Sequence, residues 1–318
     1  MDHIYPLLKS VTVFFLLVLF IQLLRRQGIF NDTHQPVFNR LVTELALPVT
    51  IFSTLAISRI YTDQIIGAAV MLVSIALCCL LAYIACRAMK LSGSMTGSLV
   101  MLAGFGSTST LAYPLIRQTF GADSEAMALG LIIGEFGVCI PFFTLGVLMA
   151  AWFGSRDAQK SPDIWPVMNH FFVSPIFISF VLGLLVSQVP VASGFFTSSF
   201  WTIFFDYFNN GLEILVAVSL GLMLKPVQIR HIVPLFLLIV GLKLFLQPLL
   251  VLYGASFLSL SPLATEILVI EAAMPSGAVA AVIADRYGCD GPLASALVIA
   301  TYLVSLLTIP LVTYFVLV

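Results

Sequence analysis

Two short stretches of the sequence combine glycine, proline and hydroxyl side chains inside otherwise apolar segments. The first covers residues 104–114 and the second residues 271–277. Glycine lowers helix propensity, and proline lacks an amide donor and collides with the preceding turn, so we expect a helix to be interrupted at each stretch. The candidate substrate-binding residues lie in these two stretches: Gly106, Ser107, Thr108, Ser109, Thr110, Tyr113, Pro114, Met274, Pro275, Ser276 and Gly277.

An interrupted helix inside a bilayer leaves backbone N–H and C=O groups without partners, and such groups are tolerated only within protein or beside a wet cavity. The N-terminus of a half-helix carries partial positive charge and free N–H donors, which suit an anion such as a carboxylate. The alternative is that the small residues only let helices pack closely. Two such stretches at equivalent positions of a repeat favour a substrate site.

Charged residues inside apolar segments form a second group with chemical potential, because ionisable side chains in a membrane span are costly and usually functional. Glu271 lies one helical turn before Pro275 and is the first candidate for carrying a proton. Lys243 could pair with a carboxylate or attract an anion. A structural ion pair or a carboxyl at the membrane edge is the alternative for each residue. The candidates for proton or ion coupling are Glu271, Glu135, Glu44 and Lys243.

The composition indicates where these residues lie. Of the 318 residues, 60% are apolar and 9% are charged, with a net charge of -1, whereas a soluble domain has about 45–50% apolar and about 25% charged residues. A water-soluble globule, a disordered chain and a nucleic-acid binder are excluded. The pattern of apolar segments predicts an all-α polytopic membrane protein with ten spans. The predicted spans are residues 4–24, 41–57, 65–89, 95–120, 126–153, 167–186, 204–224, 233–258, 264–287 and 293–318.

Basic residues are distributed unevenly between the predicted loops. Ten lie in or beside loops that follow odd-numbered spans, and two, Arg59 and Arg117, follow even-numbered spans. The positive-inside rule therefore predicts that both termini face outside and that the central loop is cytoplasmic, in a plasma membrane. The five cysteines form no C-x-x-C pair, so we expect free thiols, no metal and no cofactor.

The two halves of the chain resemble each other at an offset of 167 residues. Identical pairs bracket the fourth and ninth spans: Leu91/Leu258, Ser92/Ser259, Ser94/Ser261, Gly121/Gly288 and Asp123/Asp290. Because each half has an odd number of spans, the second copy must enter the membrane from the opposite face, which gives a 5+5 inverted repeat. The predicted units are residues 1–153, a cytoplasmic linker at 154–166, and residues 167–318.

These motifs resemble the auxin efflux carrier family, which includes plant auxin exporters and bacterial carriers of malonate, malate and similar acids. The resemblance covers almost the whole chain. One departure is Ser107, which stands where the family usually has an asparagine after Gly-Phe-Gly. The matching segments are Leu47-Pro48-Val49-Thr50, Gly104-Phe105-Gly106-Ser107-Thr108, Tyr113-Pro114-Leu115, Leu242-Lys243-Leu244 with Pro248, Ala272-Ala273-Met274-Pro275-Ser276 and Ala284-Asp285-Arg286-Tyr287-Gly288.

The resemblance implies a fold similar to that of the sodium–bile acid symporters, in which the broken fourth and ninth helices cross. It implies a scaffold of helices 1, 2, 6 and 7, a transport domain of helices 3–5 and 8–10, a homodimer, and, for the bacterial branch, location in the inner membrane.

The predicted function is secondary active transport of a small organic carboxylate anion by alternating access, with H⁺ as the coupling ion. The alternative inside the same class is a sodium-coupled symporter of the bile-acid type. An enzyme is not expected: a membrane-embedded hydrolase would need a nucleophile–base pair or paired aspartates within spans. A sensor would need a soluble partner, because the sequence has no signalling domain.

Overall fold

The computed structural model describes residues 4–31, 33–57, 65–120, 125–155, 172–189, 195–223 and 229–317. Every regular element in these ranges is helical, which confirms the predicted all-α class. The α-helices are α1 (Ile4–Arg26), α2 (Gln35–Arg40), α3 (Leu47–Ile57), α4 (Ile65–Ala88), α5 (Gly93–Gly104), α6 (Tyr113–Phe120), α7 (Glu125–Ile132), α8 (Val147–Ser155), α9 (Pro175–Ser187), α10 (Ser199–Met223), α11 (Ile229–Val240), α12 (Gln247–Phe257), α13 (Pro262–Ala272), α14 (Ala278–Arg286) and α15 (Gly291–Leu317).

Five helical stretches in the described ranges are long and apolar enough to cross a membrane: Ile65–Ala88, Glu125–Ser155, Ser199–Leu222, Ile232–Phe257 and Gly291–Val312. They correspond to the predicted third, fifth, seventh, eighth and tenth spans, and the shorter apolar helix α9 corresponds to the sixth. The predicted fourth and ninth spans are each divided into two helical parts. Most of the predicted linker at 154–166 lies outside the described residues, and the full set of ten spans stays a prediction.

Prolines shape these helices in a consistent way. Four π-helical segments each end two residues before a proline: Leu41–Ala46 before Pro48, Thr108–Ala112 before Pro114, Ile133–Cys139 before Pro141 and Gly241–Leu246 before Pro248. A proline offers no amide to the carbonyl of the preceding turn and its ring crowds that carbonyl, so the turn widens. Glu44, Thr108, Glu135 and Lys243 all lie in these widened segments.

The helices pack around one extended apolar core. Helix α3 packs against α9 and α10, and α10 also packs against α1. Helix α4 packs against α5 and the π-helical segment Ile133–Cys139, while α12 packs against α13 and α14 against α15. The two divided spans therefore lie among long helices that can hold their ends in place.

Gly154 provides a test of this packing, because it lies in α8 directly against the turn at residues 287–288. A Cβ atom added at Gly154 would overlap the carbonyl oxygen of Tyr287, whereas one added at Gly211 in α10 would meet open space. We expect Gly154→Ala to lower the free energy of unfolding by about 1–3 kcal/mol. Gly211→Ala is the control and should be neutral or slightly stabilising, because alanine favours a helix. Thermal unfolding in detergent measures both, and equal melting temperatures would contradict the packing.

Candidate functional site

The two interrupted spans meet each other at their breaks. Helix α5 ends at Gly104 and helical structure resumes at Thr108, while α13 ends at Ala272 and α14 begins at Ala278. Between them Gly106 and Ser276 form an isolated antiparallel bridge. The Ser107 amide donates to the Pro275 carbonyl at 2.9 Å, and the Gly277 amide donates to the Phe105 carbonyl at 2.9 Å. Each break therefore satisfies backbone groups of the other, deep inside the protein.

The carbonyl ends of the two first half-helices are held by buried side chains. The Ser276 hydroxyl donates to the Leu102 carbonyl at 2.7 Å, and the Gln247 amide donates to the Gly104 carbonyl at 3.0 Å. Lys243 donates to the Ala272 carbonyl at 3.1 Å and also to the Gln247 side-chain oxygen. The Lys243 side chain is 1% exposed, so a buried cation lies at the negative end of α13.

The opposite, N–H ends of the second half-helices border a small cavity of about 60 Å³. Its lining includes Gly106, Ser107 and Thr108 from the first break and Gly277 and Ala278 from the second. Helix starts provide free N–H donors and partial positive charge. We call the place where the two breaks meet, residues 105–107 and 273–277, the junction. At the junction, the carbonyl ends of the first half-helices are bound by buried side chains, and the N–H ends of the second half-helices face a cavity.

A larger cavity of about 430 Å³ adjoins the small one, since Cys139, Phe143 and Val279 line both. The Tyr113 hydroxyl donates to a Glu135 carboxylate oxygen at 2.8 Å within its lining. The polar residues among its described lining are Thr50, Ser53, Tyr113, Glu135, Thr197, Thr202, Asp206, Asn209 and Asn210. No lysine or arginine occurs in that described lining. A further cavity of about 730 Å³ is lined mostly by apolar and aromatic side chains.

Several predicted binding residues lie at these cavities and others lie behind them. The Ser107 hydroxyl accepts a hydrogen bond from the Tyr302 hydroxyl at 2.8 Å, and the Thr108 hydroxyl contacts the Cys139 sulfur at 3.4 Å. Met274 and Ser276 are fully buried. The backbones of Ser109, Thr110 and Pro114 continue the helix, and their side chains lie outside the described part of the structure.

The predicted ionisable residues fall into two places. Glu135 lines the 430 Å³ cavity, and Glu271, 1% exposed, interacts electrostatically with Glu135 and Lys243. Neither carboxylate oxygen of Glu271 has a hydrogen-bond partner among the described residues. Glu44 is elsewhere, in ion pairs with Arg40 at 3.2 Å and with Arg286. Three of the four candidates therefore surround the junction and the fourth does not.

The Glu44 pair belongs to a polar cluster that joins the start of the predicted second span to the end of α14. Asp285 accepts hydrogen bonds from Gln35, at 2.9 Å, and from Asn39. Arg286, the next residue, pairs with Glu44. Along the chain, the cavity residues Thr50 and Val279 lie six residues from Glu44 and Asp285, about 9 Å along each helix. We call Gln35, Asn39, Glu44, Asp285 and Arg286 the latch.

Some residues of the site were not anticipated from the sequence. Asp206, Asn209 and Asn210 on α10 and Thr50 on α3 all line the larger cavity. Within the described part of the chain, the Asn209 side-chain oxygen and the Thr50 hydroxyl lack hydrogen-bond partners. The sequence does contain a feature that could have identified them. The run Asp206-Tyr207-Phe208-Asn209-Asn210 places three polar residues at the start of a predicted apolar span. Gln247, beside Pro248, was a similar polar residue in an apolar span.

Ser276 tests the junction directly. Ser276→Ala removes the donor to the Leu102 carbonyl inside the protein, and we expect a loss of about 1–3 kcal/mol in the free energy of unfolding. The matched control is Ser256→Ala, because the exposed Ser256 hydroxyl makes the same kind of bond to the Leu252 carbonyl at 2.9 Å. Melting temperatures of the purified proteins measure the difference. Equal losses for both variants would contradict a special role for the buried bond.

Comparison with known proteins places this architecture in a family. A family model described as "Membrane transport protein" matches residues 7–313. An uncharacterized transporter of Methanothermobacter thermautotrophicus is 25% identical over 305 residues, which cover 95% of this chain and 96% of the relative. An uncharacterized transporter of Methanocaldococcus jannaschii is 27% identical over 292 residues, which cover 89% and 90%. The predicted resemblance is confirmed, and the chain is a membrane-embedded protein that belongs to the membrane transport protein family, the auxin efflux carrier family.

Proposed function

We propose that this protein is a secondary active transporter that moves a small organic carboxylate anion together with protons by alternating access. The observation that carries the proposal is the pair of half-helix N-termini beside a cavity that contains the carboxyl group of Glu135. Membership of a transporter family supports the general activity. The substrate and the coupling ion are the proposed part.

The proposal that the substrate is an anion rests on the electrostatics of the junction. The described lining has no basic side chain and includes the carboxyl groups of Glu135 and Asp206. The groups that attract an anion are therefore the helix starts near Thr108 and Ala278. Backbone N–H groups at two helix ends bind a carboxylate through directed hydrogen bonds. A cavity of about 430 Å³ suits a small organic acid, since ligand sites in proteins commonly measure about 300–1,000 Å³.

The proposed coupling to protons rests on the presence of Glu135 in the same cavity. An ionised Glu135 repels an organic anion, whereas a protonated Glu135 does not. Binding of the anion and binding of a proton to Glu135 therefore favour each other, and this coupling is reciprocal. Glu271 lies behind it and has no hydrogen-bond partner in the described ranges, so it can take up or release a proton near Glu135.

The helix contacts support the division into a scaffold and a transport domain that the family resemblance implies. Helix α3 contacts α9 and α10, and α10 contacts α1. Helices α3 and α10 supply Thr50 and Asn209 to one wall of the cavity, while Tyr113, Glu135 and Val279 form the other. We propose a 5+5 inverted repeat with crossing broken helices and movement of the second wall against the first. The ten spans, the homodimer, the orientation with both termini outside and the bacterial inner membrane stay predictions.

Glu135→Gln is the direct test of proton coupling. In proteoliposomes, we expect the wild-type protein to take up a labelled small dicarboxylate faster when an inward proton gradient is imposed. Glu135→Gln should retain exchange of the anion but lose the acceleration by the gradient, because the amide does not titrate. Glu125→Gln, which alters an exposed carboxyl at the start of α7, is the control and should behave like the wild type.

The same assay separates the competing functions. A response to a sodium gradient at fixed pH would favour sodium-coupled symport instead. No saturable flux across a panel of mono-, di- and tricarboxylates would count against organic-anion transport altogether. Retention of the proton response in Glu135→Gln would remove Glu135 from the coupling mechanism.

The latch provides a separate test of alternating access, because it joins the two walls beyond one end of the cavity. Breaking the Arg286–Glu44 pair should favour the state in which that end is open. An ion pair that is partly exposed contributes about 0.2–1 kcal/mol, so we expect a change in population of about 1.4-fold to fivefold. Among the free cysteines, Cys139 is the one not fully buried and it lines the cavity. Its maleimide-labelling rate from each side of oriented vesicles reports the state.

We expect Arg286→Gln to increase labelling of Cys139 from the side of the latch. Arg40→Gln is the matched control, because Arg40 pairs with Glu44 four residues away on the same segment and does not join the two walls. Equal labelling of the two variants would show that the latch does not hold this end closed.

A further inference from the structure

We propose that the ammonium group of Lys243 is a built-in cation that holds the carbonyl ends of both broken helices, so that the junction needs no sodium ion. The inference rests on the proposed function and refines it, since it states which ion does not couple transport. It concerns the buried face of the junction, away from the anion cavity.

The geometry is that of a cation site whose ligands are all oxygens. Lys243 donates to the Ala272 carbonyl at 3.1 Å and to the side-chain oxygen of Gln247. Gln247 in turn donates to the Gly104 carbonyl at 3.0 Å. One side chain thus connects the last residue of α13 directly, and the last residue of α5 through Gln247, to a single positive charge.

The positive charge of Lys243 complements the partial negative charge of the helix C-termini around it. Each half-helix C-terminus carries about half a negative charge, and two such ends are buried here close to Lys243 and Gln247. Glu271, Cys78 and Cys79 are the other titratable groups that interact with Lys243. A positive charge is therefore favourable at this place, and the ammonium form of Lys243 supplies it.

The ammonium group is closely packed. A Cβ atom added at Gly106 would lie 2.8 Å from the Lys243 nitrogen, so glycine is needed for the ammonium group to reach the junction. The sulfur of Cys78 packs against the Leu242 carbonyl at 3.7 Å. Lys243 is thus a positioning residue: it keeps the two breaks together while the N–H ends bind the substrate.

The test replaces Lys243 by two residues that differ in the space they leave. Lys243→Ala removes the charge and opens a cavity, whereas Lys243→Met removes the charge but fills most of the same volume. The wild-type protein should have the same melting temperature and transport rate in sodium, potassium and choline chloride. In choline, Lys243→Ala should lose about tenfold or more of the transport rate, because both carbonyl ends lose their cation.

Sodium ions or ethylammonium should restore the melting temperature and the transport rate of Lys243→Ala, because the cation enters the space that the side chain left. Lys243→Met should be impaired and should not be rescued. Lys90→Ala, which alters an exposed lysine, is the control for general salt effects and should respond like the wild type. A merely structural loss of packing would harm the alanine variant more than the methionine variant and would show no dependence on the cation.

Three outcomes would overturn the proposal: a wild-type protein that needs sodium, a Lys243→Ala variant that is active in choline, or a Lys243→Ala variant that sodium and ethylammonium fail to stabilise. If Lys243→Ala unfolds in every salt while Lys243→Met folds normally, packing rather than charge is the role and the proposal is wrong. The melting temperatures remain informative even if the wild-type protein transports no organic acid, so failure of the proposed function is distinguishable.

Discussion

The constraint on which this structure depends is that broken helices in the middle of a membrane must satisfy their own backbone. An unpaired amide or carbonyl in an apolar interior costs several kcal/mol, and two broken spans present many such groups at once. The protein satisfies them by bringing the breaks together, so that Ser107 and Gly277 donate across the junction. Neither break could be stable alone at this depth, and each therefore determines the position of the other.

Much of the candidate site was predictable because its cause is local. Glycine at 104 and 106 and proline at 275 weaken a helix wherever they occur, and the repeat offset of 167 residues aligns the two breaks in the sequence alone. Pro114 lies inside the helical part that follows the first break and only widens the turn before it. The partners of the carbonyl ends were not predictable, because Ser276 and Gln247 act on residues 174 and 143 positions away. A hydroxyl near a break could bind either a substrate or a backbone carbonyl group. Which of the two it binds depends on the three-dimensional path of the chain.

The widened turns explain a second limit of prediction from periodicity. A regular helix advances about 100° per residue, and a π-helical segment inserts one extra residue, so every side chain after it is rotated away from its expected face. Glu135 and Lys243 both lie in such segments. Their proximity to the junction therefore depends on Pro141 and Pro248, which widen the turns before them. Glu44 lies in the same kind of segment but at the end of its span, where its partners are Arg40 and Arg286.

The division of polarity at the junction has a consequence for a transport cycle. A substrate that binds at the N–H ends must arrive and leave in every cycle, so those ends are necessarily exposed to water at some stage. The carbonyl ends need not be exposed to water at any stage, because the groups that bind them, Lys243 and Gln247, are part of the chain. In the proposed cycle, release of the anion would leave the breaks joined, so the moving wall would cross the membrane empty without unfolding at its centre. A carrier that relied on an exchangeable ion for the same purpose would have to bind that ion before every passage.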